Sequence, residues 1–510
     1  MYLLNTRRFL SRCLRRSFGS LIDENAPINK IPGRFLRLSD KSYLDSSTLQ
    51  RIDVVFDKTN GKPIQYESKQ TLGSRTDIVK NVSFEDTSER YKVEWNDGHV
   101  TYLDSHWIDV QLKRRHVTGQ SSKASIEGNG SINNDLCPTT SRMPWTNMTE
   151  KEIRSEAQNH KMRFDFKDLL SDDDSILQKA IKSLFQYGII FVTSTPTSDN
   201  GSGVAALASA MSGPSNKSSP ETTLMAHYLD FKKRNQNCGN ERKQTNASTI
   251  LERGTDGPQR TMYGNVWYTN ASSMVDGTST ADSAYGNEAL PLHTDFTYSR
   301  DPPGLQIFTM ISPAIQGGES IFADGLAIAE YMRKNHYNEF DTLCRVRRRY
   351  RSIDKEHGWH LEGSGPVIEA IDMWEGLSRV PVNDQPMRWG PVVGIRHNDL
   401  DKLPDLPPLI NSNESVEDQK QQQEYDEQFY QELDQAHDVW NRLLGSDKFR
   451  LVVGLQAGDT AVVANQRCMH GRQAFTASSE TLRSVMGCYV SQDDVESRIR
   501  WVLNGNCMFK

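Results

Sequence analysis

The sequence predicts a mainly β protein with flanking helices, in which a small β domain precedes a larger sandwich-like or barrel-like β domain. Short runs of β-forming residues recur along the chain, few segments have helical periodicity, and a polar Gly/Ser/Asn-rich stretch divides the two parts. The length of 510 residues exceeds what one hydrophobic core usually fills. We therefore expect two domains joined by irregular segments.

The first part, residues 35–116, contains β-type runs at 51–56, 91–95 and 100–103, and Asn96-Asp97-Gly98 indicates a hairpin turn between the last two. Residues 117–150 follow as a linker. Before this domain, residues 1–20 carry five arginines and no acidic residue, a composition typical of a mitochondrial transit peptide. A basic tail without that role is the alternative interpretation.

The second domain, residues 160–505, begins with a helix at 172–187 that ends at Gly188 and continues into a buried strand at 188–192. A second helix is predicted at 429–443, and polar insertions are predicted at 213–258 and 404–424. Further strands are predicted by apolar and β-branched runs at 305–310, 319–322, 391–395, 451–455, 460–464 and 485–490.

Composition and charge exclude several classes of function. The chain has 60 Lys and Arg against 66 Asp and Glu, a net charge of -6, which argues against a nucleic-acid-binding surface. It has no apolar run of the ~18 residues that a membrane-spanning helix requires. Its seven cysteines are scattered without a Cys-x-x-Cys pair, which argues against a disulfide framework and for a reducing compartment.

Two short motifs are weak evidence for a cofactor site or a metal site. Gly201-x-Gly203-x-x-Ala206 fits a dinucleotide-binding fingerprint and would indicate a nicotinamide dehydrogenase. Eight residues separate it from the preceding strand, however, whereas the fingerprint needs a tight turn. His357 and His360 have metal-ligand spacing on a helix, but the intervening glycine favours a loop.

His293-Thr-Asp295 and the distant His470 form a stronger pattern. Residues i and i+2 of a strand point the same way, so we expect His293 and Asp295 to converge on one ion. Two histidines and one carboxylate on a β scaffold are typical of the facial triad of non-haem Fe(II) oxygenases. Arg483, 13 residues after His470, suits the carboxylate of a 2-oxo acid.

The stretch 289–332, which contains HTDF and GGES, resembles the family of Fe(II)- and 2-oxoglutarate-dependent dioxygenases that includes taurine dioxygenase. Within it, this stretch and residues 469–495 are similar to the branch formed by the trimethyllysine and γ-butyrobetaine dioxygenases. The resemblance covers roughly residues 85–110 and 160–505, apart from the two polar insertions.

The resemblance implies a double-stranded β-helix, a jelly-roll or cupin-like fold, for the catalytic domain. It implies that His293, Asp295 and His470 bind Fe(II), and that Arg483 with Ser320 holds the distal carboxylate of 2-oxoglutarate. 2-Oxoglutarate and O2 would be co-substrates and ascorbate an auxiliary reductant. We also expect a homodimer.

The substrate implied by the resemblance is a quaternary-ammonium amino acid. Tyr263, Trp267 and Tyr285 match positions that cage a trimethylammonium group, while Arg396 and Asn398 match positions near the substrate carboxylate. Asp399 is a candidate acceptor for an α-ammonium group, with a solvated turn residue as the alternative.

The segments HTDFTY, HLEGSGPV and GCYVSQDDV resemble the trimethyllysine side of this branch more closely, and the arginine-rich residues 1–20 fit a mitochondrial location. The resemblance therefore implies mitochondrial hydroxylation of trimethyllysine to its 3-hydroxy product in carnitine biosynthesis, with γ-butyrobetaine as the alternative substrate. A non-catalytic metal-binding scaffold of the same fold is the alternative from another class.

The sequence departs from the family pattern at two places. The N-terminal domain of the family usually holds zinc through three cysteines and a histidine; His99 is retained, but residues 35–98 contain no cysteine. We therefore expect this zinc site to be lost. Before the second ligand histidine, Ala464-Asn465 replaces the usual Asp-Asn, which alters the support around the metal.

Overall fold

The computed structural model describes residues 26–43, 79–105, 107–108, 112, 142–145, 147–149, 162–171, 174–198, 200–212, 258–259, 261–262, 265–271, 286–355, 358–372, 388–410, 415–476 and 483–504. The predicted leader, the strand at 51–56, most of the linker and nearly all of the insertion at 213–258 lie outside these ranges.

Strands and helices contribute similar lengths of the described chain. The strands are β1 (Val79–Glu85), β2 (Arg90–Trp95), β3 (Val100–Asp104), β4 (Arg163–Asp165), β5 (Ile189–Thr193), β6 (Trp267–Ala271), β7 (Leu290–His293), β8 (Leu305–Ser312), β9 (Ser320–Asp324), β10 (Arg347–Asp354), β11 (Trp359–Pro366), β12 (Ile368–Asp372), β13 (Trp389–Ile395), β14 (Arg450–Val453), β15 (Thr460–Ala464), β16 (Cys468–Arg472) and β17 (Arg483–Val490). The α-helices are α1 (Gly33–Leu38), α2 (Phe166–Leu169), α3 (Asp174–Tyr187), α4 (Ser202–Ser212), α5 (Gly325–Asn335), α6 (Tyr337–Arg345), α7 (Val416–Leu444) and α8 (Gln492–Asn504). The fold is therefore mixed α/β. The expectation of a mainly β fold was wrong because the sequence patterns identified only some of the helices.

The N-terminal part is an antiparallel three-stranded sheet in the order β1-β2-β3. The predicted hairpin joins β2 to β3, and Gly98 adopts a φ of 85°, which the turn requires and glycine allows. Helix α1 packs on this sheet through Phe35 and Leu36, which contact a core containing Trp95 and Leu103. The small N-terminal domain thus has its own apolar core.

Two larger sheets form the second domain. One has four strands in the order β14-β9-β16-β7, and the other has six in the order β4-β5-β15-β8-β17-β6. Adjacent strands are antiparallel except β4 and β5. Two-stranded ribbons, β10-β11 and β12-β13, accompany them.

Alternating residues of the central strands face opposite sides, as strand geometry requires. On β9, Phe322 joins the cluster between the two sheets, whereas Ile321 joins the cluster under α5, α6 and α7. On β15, Val463 faces the other sheet and Val462 faces α3, α4 and α8. The domain consequently has helices on the outer face of each sheet and an apolar layer between the sheets.

Helix α7 begins earlier than its apolar face predicts. Ser415 caps it in a capping box with Asp418, so residues 416–424, within the predicted polar insertion, form its first turns. Gln422 of these turns donates a hydrogen bond to the Pro408 carbonyl and accepts one from the Ile410 amide. The segment before the helix is therefore attached to it by hydrogen bonds.

A buried ion pair fixes the start of β16. Arg467 and Asp324 form two hydrogen bonds of 3.1 and 2.9 Å, and Asp324 is fully buried. Asp324 also caps α5 through the Leu326 amide, and Arg467 donates to the carbonyls of Met143 and Gln186. Because Cys468 lies opposite Asp324 in the β16–β9 pairing, this pair holds the register between the two strands.

Replacing Arg467 by Met should lower the free energy of unfolding by about 3–5 kcal/mol, because it leaves the Asp324 carboxylate buried without its cation. Chemical denaturation followed by far-UV circular dichroism measures this change. The control is Arg345→Met, which breaks a solvent-exposed pair with Glu432 and should cost less than about 1 kcal/mol. Equal losses in both variants would contradict the structural role of the buried pair.

Candidate metal centre

Two histidines face each other across neighbouring strands. His293 ends β7, and His470 lies in the middle of β16 directly opposite it in the strand pairing. Their ring centroids are 4.3 Å apart. Because Leu292 and Met469 belong to the cluster under the helices, the alternation of each strand turns both imidazoles toward the space between the sheets.

Asp295 completes the group, but not by the predicted route. β7 ends at His293, and Asp295 lies in the turn that follows, so the expectation that both sit on one strand was wrong. Phe296 adopts a φ of 59°, a left-handed conformation that is rare for an aromatic residue. The turn brings Asp295 Oδ1 to 3.4 Å from His293 Nε2 and 3.7 Å from His470 Nε2.

The main chain around Asp295 is held on both sides. Asn465 Oδ1 accepts a hydrogen bond of 2.8 Å from the Asp295 amide, and Asn465 Nδ2 donates to the Asp295 and Pro303 carbonyls. The Thr294 amide donates to the His397 carbonyl, and the His397 amide donates to Thr294 Oγ1. Asn465, fully buried, therefore supports the turn although Ala464 replaces the aspartate usual in the family.

The two carboxylate oxygens of Asp295 have different surroundings. Oδ2 accepts hydrogen bonds from Gln306 Nε2 and from the Tyr489 hydroxyl, the latter at 2.8 Å. Oδ1 faces the two imidazoles. Burial and the charge of Asp295 raise the pKa of Tyr489, so the phenol keeps its proton and donates it.

The imidazoles also have defined orientations. His293 Nδ1 lies 2.8 Å from the Pro291 carbonyl, which only accepts, so Nδ1 carries a hydrogen and Nε2 is the nitrogen that faces the site. His470 Nδ1 is buried and finds no hydrogen-bond partner in the described part of the chain.

Burial and mutual charge set the protonation of the three residues. Burial raises the pKa of Asp295, but His470 and His293 outweigh this effect and lower it to about 2. Burial lowers the pKa of His293, but the hydrogen bond and charge of Asp295 bring it above its usual value. Burial lowers the pKa of His470 to about 4. At neutral pH the site therefore offers an ionised carboxylate and a neutral His470, while a proton on His293 competes with a cation.

These residues fit a divalent metal ion. One candidate ligand atom from each of His293, Asp295 and His470 lies within 4.8 Å of the others, and no other group of this kind occurs among the described residues. Two imidazole nitrogens and one carboxylate oxygen on one side of an ion match the donor set of non-haem Fe(II) sites and leave the other side open.

Arg483 lies at the start of β17, with its side chain almost fully buried. Its Nε donates to the Gly318 carbonyl at 3.3 Å, and no carboxylate of the described residues pairs with it. Burial lowers the pKa of Arg483 to about 10, so the guanidinium remains charged at neutral pH. A buried cation without a counter-ion is suited to an anionic ligand.

The other predicted co-substrate residue, Ser320, begins β9 and is buried two positions after Gly318. It lies opposite Arg472 in the β16–β9 pairing. Arg472, another buried arginine two residues after His470, donates to the carbonyls of Gly286 and Glu288 and stacks over Phe475. Its contacts hold the segment that leads into β7.

Trp267 lies close to the triad, whereas Tyr263 and Tyr285 fall outside the described residues. The Trp267 ring lies against Gly487, where an added Cβ would come within 2.3 Å of Cζ2, and 6.1 Å from the Tyr489 ring. Since Tyr489 hydrogen-bonds Asp295, one side chain separates Trp267 from a metal ligand.

The residues predicted for the substrate carboxylate have other partners. Arg396 donates to the carbonyls of Thr297 and Ser299, so it holds the turn that follows Asp295. Asn398 donates to Asp401 and accepts from the Leu400 amide. A substrate carboxylate would have to displace these bonds.

Asp399 is also engaged within the protein. Its carboxylate lies 3.4 Å from Lys402 Nζ and 3.8 Å from His397 Nε2. Burial raises the pKa of Asp399, but the interactions with Lys402, His397 and Arg348 outweigh it and hold the pKa far below the usual value. The carboxylate is therefore a charged member of an interior cluster.

Three further sequence motifs have structural roles. His99 lies 2.8 Å from Asp40 and stacks on Tyr43, so this imidazole pairs with a carboxylate. Gly201 precedes α4, where an added Cβ would come within 2.7 Å of Val266, so this loop packs against the chain rather than opening toward a cofactor. His360 is exposed on β11 beside Glu362.

Sequence reasoning missed Gln306 and Tyr489, although both belong to strands that it identified. The signal was a polar residue in an otherwise apolar run, LQIFTMI, and a tyrosine at the end of VMGCY. Each faces the space between the sheets, opposite its neighbours that pack under the helices.

The sequence matches the family described as "Taurine catabolism dioxygenase TauD, TfdA family" over residues 147–489. Mitochondrial trimethyllysine dioxygenase of Gallus gallus is 28% identical over 466 residues, which cover 89% of this chain and 84% of that protein. γ-Butyrobetaine dioxygenase of Homo sapiens is 26% identical over 253 residues, covering 48% of this chain and 55% of that protein. A solved structure of asparagine oxygenase with Fe(II) superposes with a TM-score of 0.33 and 13% identity, over 65% of this chain and 90% of that one.

Metal affinity should fall as the pH is lowered from about 8 to about 6, by up to about tenfold per pH unit, because a proton competes for His293 Nε2. Asp295, with a pKa of about 2, does not titrate in this range. Calorimetric titration of the apo-protein with Mn(II) in buffers of different ionisation enthalpy measures both the affinity and the proton released.

The control for this titration is His360→Ala, which removes an exposed imidazole outside the site and should leave the profile unchanged. His293→Ala or His470→Ala should abolish tight binding. Affinity that does not depend on pH, or that survives loss of either histidine, would contradict the assignment of the metal ligands.

Proposed function

Because the chain belongs to the TauD/TfdA family of Fe(II)- and 2-oxoglutarate-dependent dioxygenases, we propose that it hydroxylates a free amino acid bearing a trimethylammonium group. The proposed substrate is trimethyllysine and the product its 3-hydroxy derivative, as in carnitine biosynthesis. The observation that carries the proposal is the group His293, Asp295 and His470 between two sheets. The neighbouring sheet carries the buried Arg483, which pairs with no carboxylate of the described residues, and the Trp267 ring, which lies against Tyr489.

Different residues would bind the metal and the co-substrate in this reaction. His293, Asp295 and His470 would hold Fe(II), and Arg483 would bind the distal carboxylate of 2-oxoglutarate beside Ser320. When bound, Fe(II) with 2-oxoglutarate and O2 supplies decarboxylation to succinate and CO2, coupled to insertion of one oxygen atom into a substrate C–H bond. Ascorbate would keep the iron reduced.

The protein contributes by orienting the metal ligands and by limiting water around them. Gln306, Tyr489 and Asn465 hold Asp295 from three directions, which orients the ligand before any substrate enters. The apolar layer between the sheets, which includes Phe308 and Phe322, limits water around the site. The two facing sheets are proposed to form the double-stranded β-helix of the family.

Trimethyllysine is preferred over γ-butyrobetaine for two reasons. The match to a trimethyllysine dioxygenase extends over 89% of this chain, against 48% for γ-butyrobetaine dioxygenase. The arginine-rich residues 1–20 also fit a mitochondrial location, which is part of the name of the former relative.

A permanent cation has no N–H to donate, so an aromatic face such as that of Trp267 is the feature that can recognise it.

Three elements of the proposal rest on resemblance and position. Tyr263 and Tyr285 would complete the cage around the trimethylammonium group with Trp267. A mitochondrial location and a homodimer are predictions for the full chain. No helix in the described ranges is both long and apolar enough to span a membrane.

The proposal is tested by measuring succinate formation by the Fe(II)-loaded protein with trimethyllysine and γ-butyrobetaine in parallel. Trimethyllysine should give the faster turnover, and mass spectrometry should show a product heavier by one oxygen atom. Faster turnover of γ-butyrobetaine would reverse the choice of substrate. Absence of stimulation by either compound, with metal and 2-oxoglutarate bound, would favour a non-catalytic scaffold.

In the same assay, Trp267→Leu removes the aromatic face while keeping apolar volume beside Gly487. The KM for the trimethylammonium substrate should rise about 30-fold, the equivalent of a desolvated cation–π contact worth ~2 kcal/mol. 2-Oxoglutarate decay without substrate should change little. Equal losses in both reactions would make Trp267 a packing residue only.

Arg483→Ala should raise the apparent 2-oxoglutarate requirement about 100-fold, because a buried charged contact worth ~3 kcal/mol is lost. Arg483→Lys keeps the charge and should recover part of the affinity. The control Arg500→Ala removes a largely exposed arginine that pairs with Glu496 on α8. An unchanged requirement in Arg483→Ala would transfer the role to another cation, with Arg472 the first candidate.

A further inference from the structure

Asp295 Oδ2 is occupied by two buried donors from the six-stranded sheet. Gln306 on β8 and Tyr489 on β17 are direct partners in the strand pairing, so both side chains leave the same face of that sheet. Both residues are about 95% buried. The Gln306 amide and the Tyr489 hydroxyl reach the same oxygen from adjacent strands.

Two donors fill the hydrogen-bonding capacity of that oxygen. A carboxylate oxygen has two lone-pair directions, and on Oδ2 both are used by neutral donors. Oδ1 alone remains directed at His293 and His470. Without these donors, nothing on the described face would keep the second oxygen from turning toward a cation.

The contact with Asp295 leaves the oxygen of the Gln306 side-chain amide without a hydrogen bond. Its Oε1 is buried without a hydrogen-bond partner among the described residues, a loss that an apolar side chain on β8 would avoid. Reversal of the amide would place Oε1 against a carboxylate oxygen, so the nitrogen must face Asp295. The feature that the amide contributes at this position is therefore its donor.

We propose that Gln306 and Tyr489 are positioning residues that restrict Asp295 to one-oxygen coordination of the metal. A metal held by two imidazoles and one carboxylate oxygen keeps three open positions, which two atoms of 2-oxoglutarate and O2 require. A carboxylate that bound through both oxygens would occupy one of them. The inference rests on the proposed metal site and adds to it the side chains that set its coordination number.

The test uses the full chain loaded with Mn(II), which binds the same donor set and reports bound water through proton relaxation. The variants are Tyr489→Phe, Gln306→Met and the double variant; Tyr489→Phe keeps the ring that packs edge-to-face with Phe296. The matched control is Tyr298→Phe, since this hydroxyl contacts Met262 Sδ at 3.9 Å in the same aromatic cluster. Thermal unfolding verifies that each variant is folded.

The wild type and Tyr298→Phe should retain about three exchangeable waters on Mn(II). The double variant should still bind Mn(II) but lose about one water, and its affinity for 2-oxoglutarate should fall about tenfold, with smaller changes in each single variant. A folded double variant with an unchanged water count and 2-oxoglutarate affinity would overturn the inference. So would loss of Mn(II) binding, because the pair would then supply affinity rather than coordination number.

Failure of the proposed function gives a different result. If the wild-type protein itself bound no Mn(II), the metal site would be absent and the inference would fall with it. If the wild type bound Mn(II) and 2-oxoglutarate but the variants matched it, the metal site would stand and only the positioning role would be lost.

Discussion

The register of β16 is the constraint on which the candidate site depends. This strand lies between β9 and β7, and its pairing places His470 opposite His293. A shift by one residue would turn His470 toward the helices and Met469 toward the site. The Arg467–Asp324 pair holds the start of the strand, and apolar packing on both faces resists a shift. The metal site is thus positioned by the same contacts that stabilise the sheet.

The two sheets contribute different parts of the site. The four-stranded sheet supplies the imidazoles, while the six-stranded sheet supplies Gln306 and Tyr489, which contact the Asp295 carboxylate, and the buried Arg483. Asp295, in the turn after β7, contacts both sets. Because each set is rigid within its sheet, the distance between the sheets controls the geometry, and the helices that pack on their outer faces support it.

Two charged groups of the candidate site, the Asp295 carboxylate and the Arg483 guanidinium, do not form an ion pair with each other. Asp295 is surrounded by donors and imidazoles and stays ionised, whereas the buried guanidinium of Arg483 has no carboxylate partner in the described ranges. Elsewhere in the domain, buried charges such as Arg348 and Asp405 are paired at 2.6 Å. An unpaired buried cation costs free energy, so an anionic partner for Arg483 would lower that cost.

The sequence by itself indicated several of the strands and singled out His293, Asp295 and His470 as candidate metal ligands, because β-type runs and the HxD pattern can be read directly from the chain. It identified β15 with the correct bounds and the apolar faces of α3 and α7. Only the tertiary structure decided how Asp295 approaches the histidines, that Arg396 caps main-chain carbonyls, and that Gln306 and Tyr489 hold Oδ2. Those contacts join residues far apart in the chain, as the separation of 194 residues between Asp295 and Tyr489 illustrates, and no local pattern encodes which distant donor meets which acceptor.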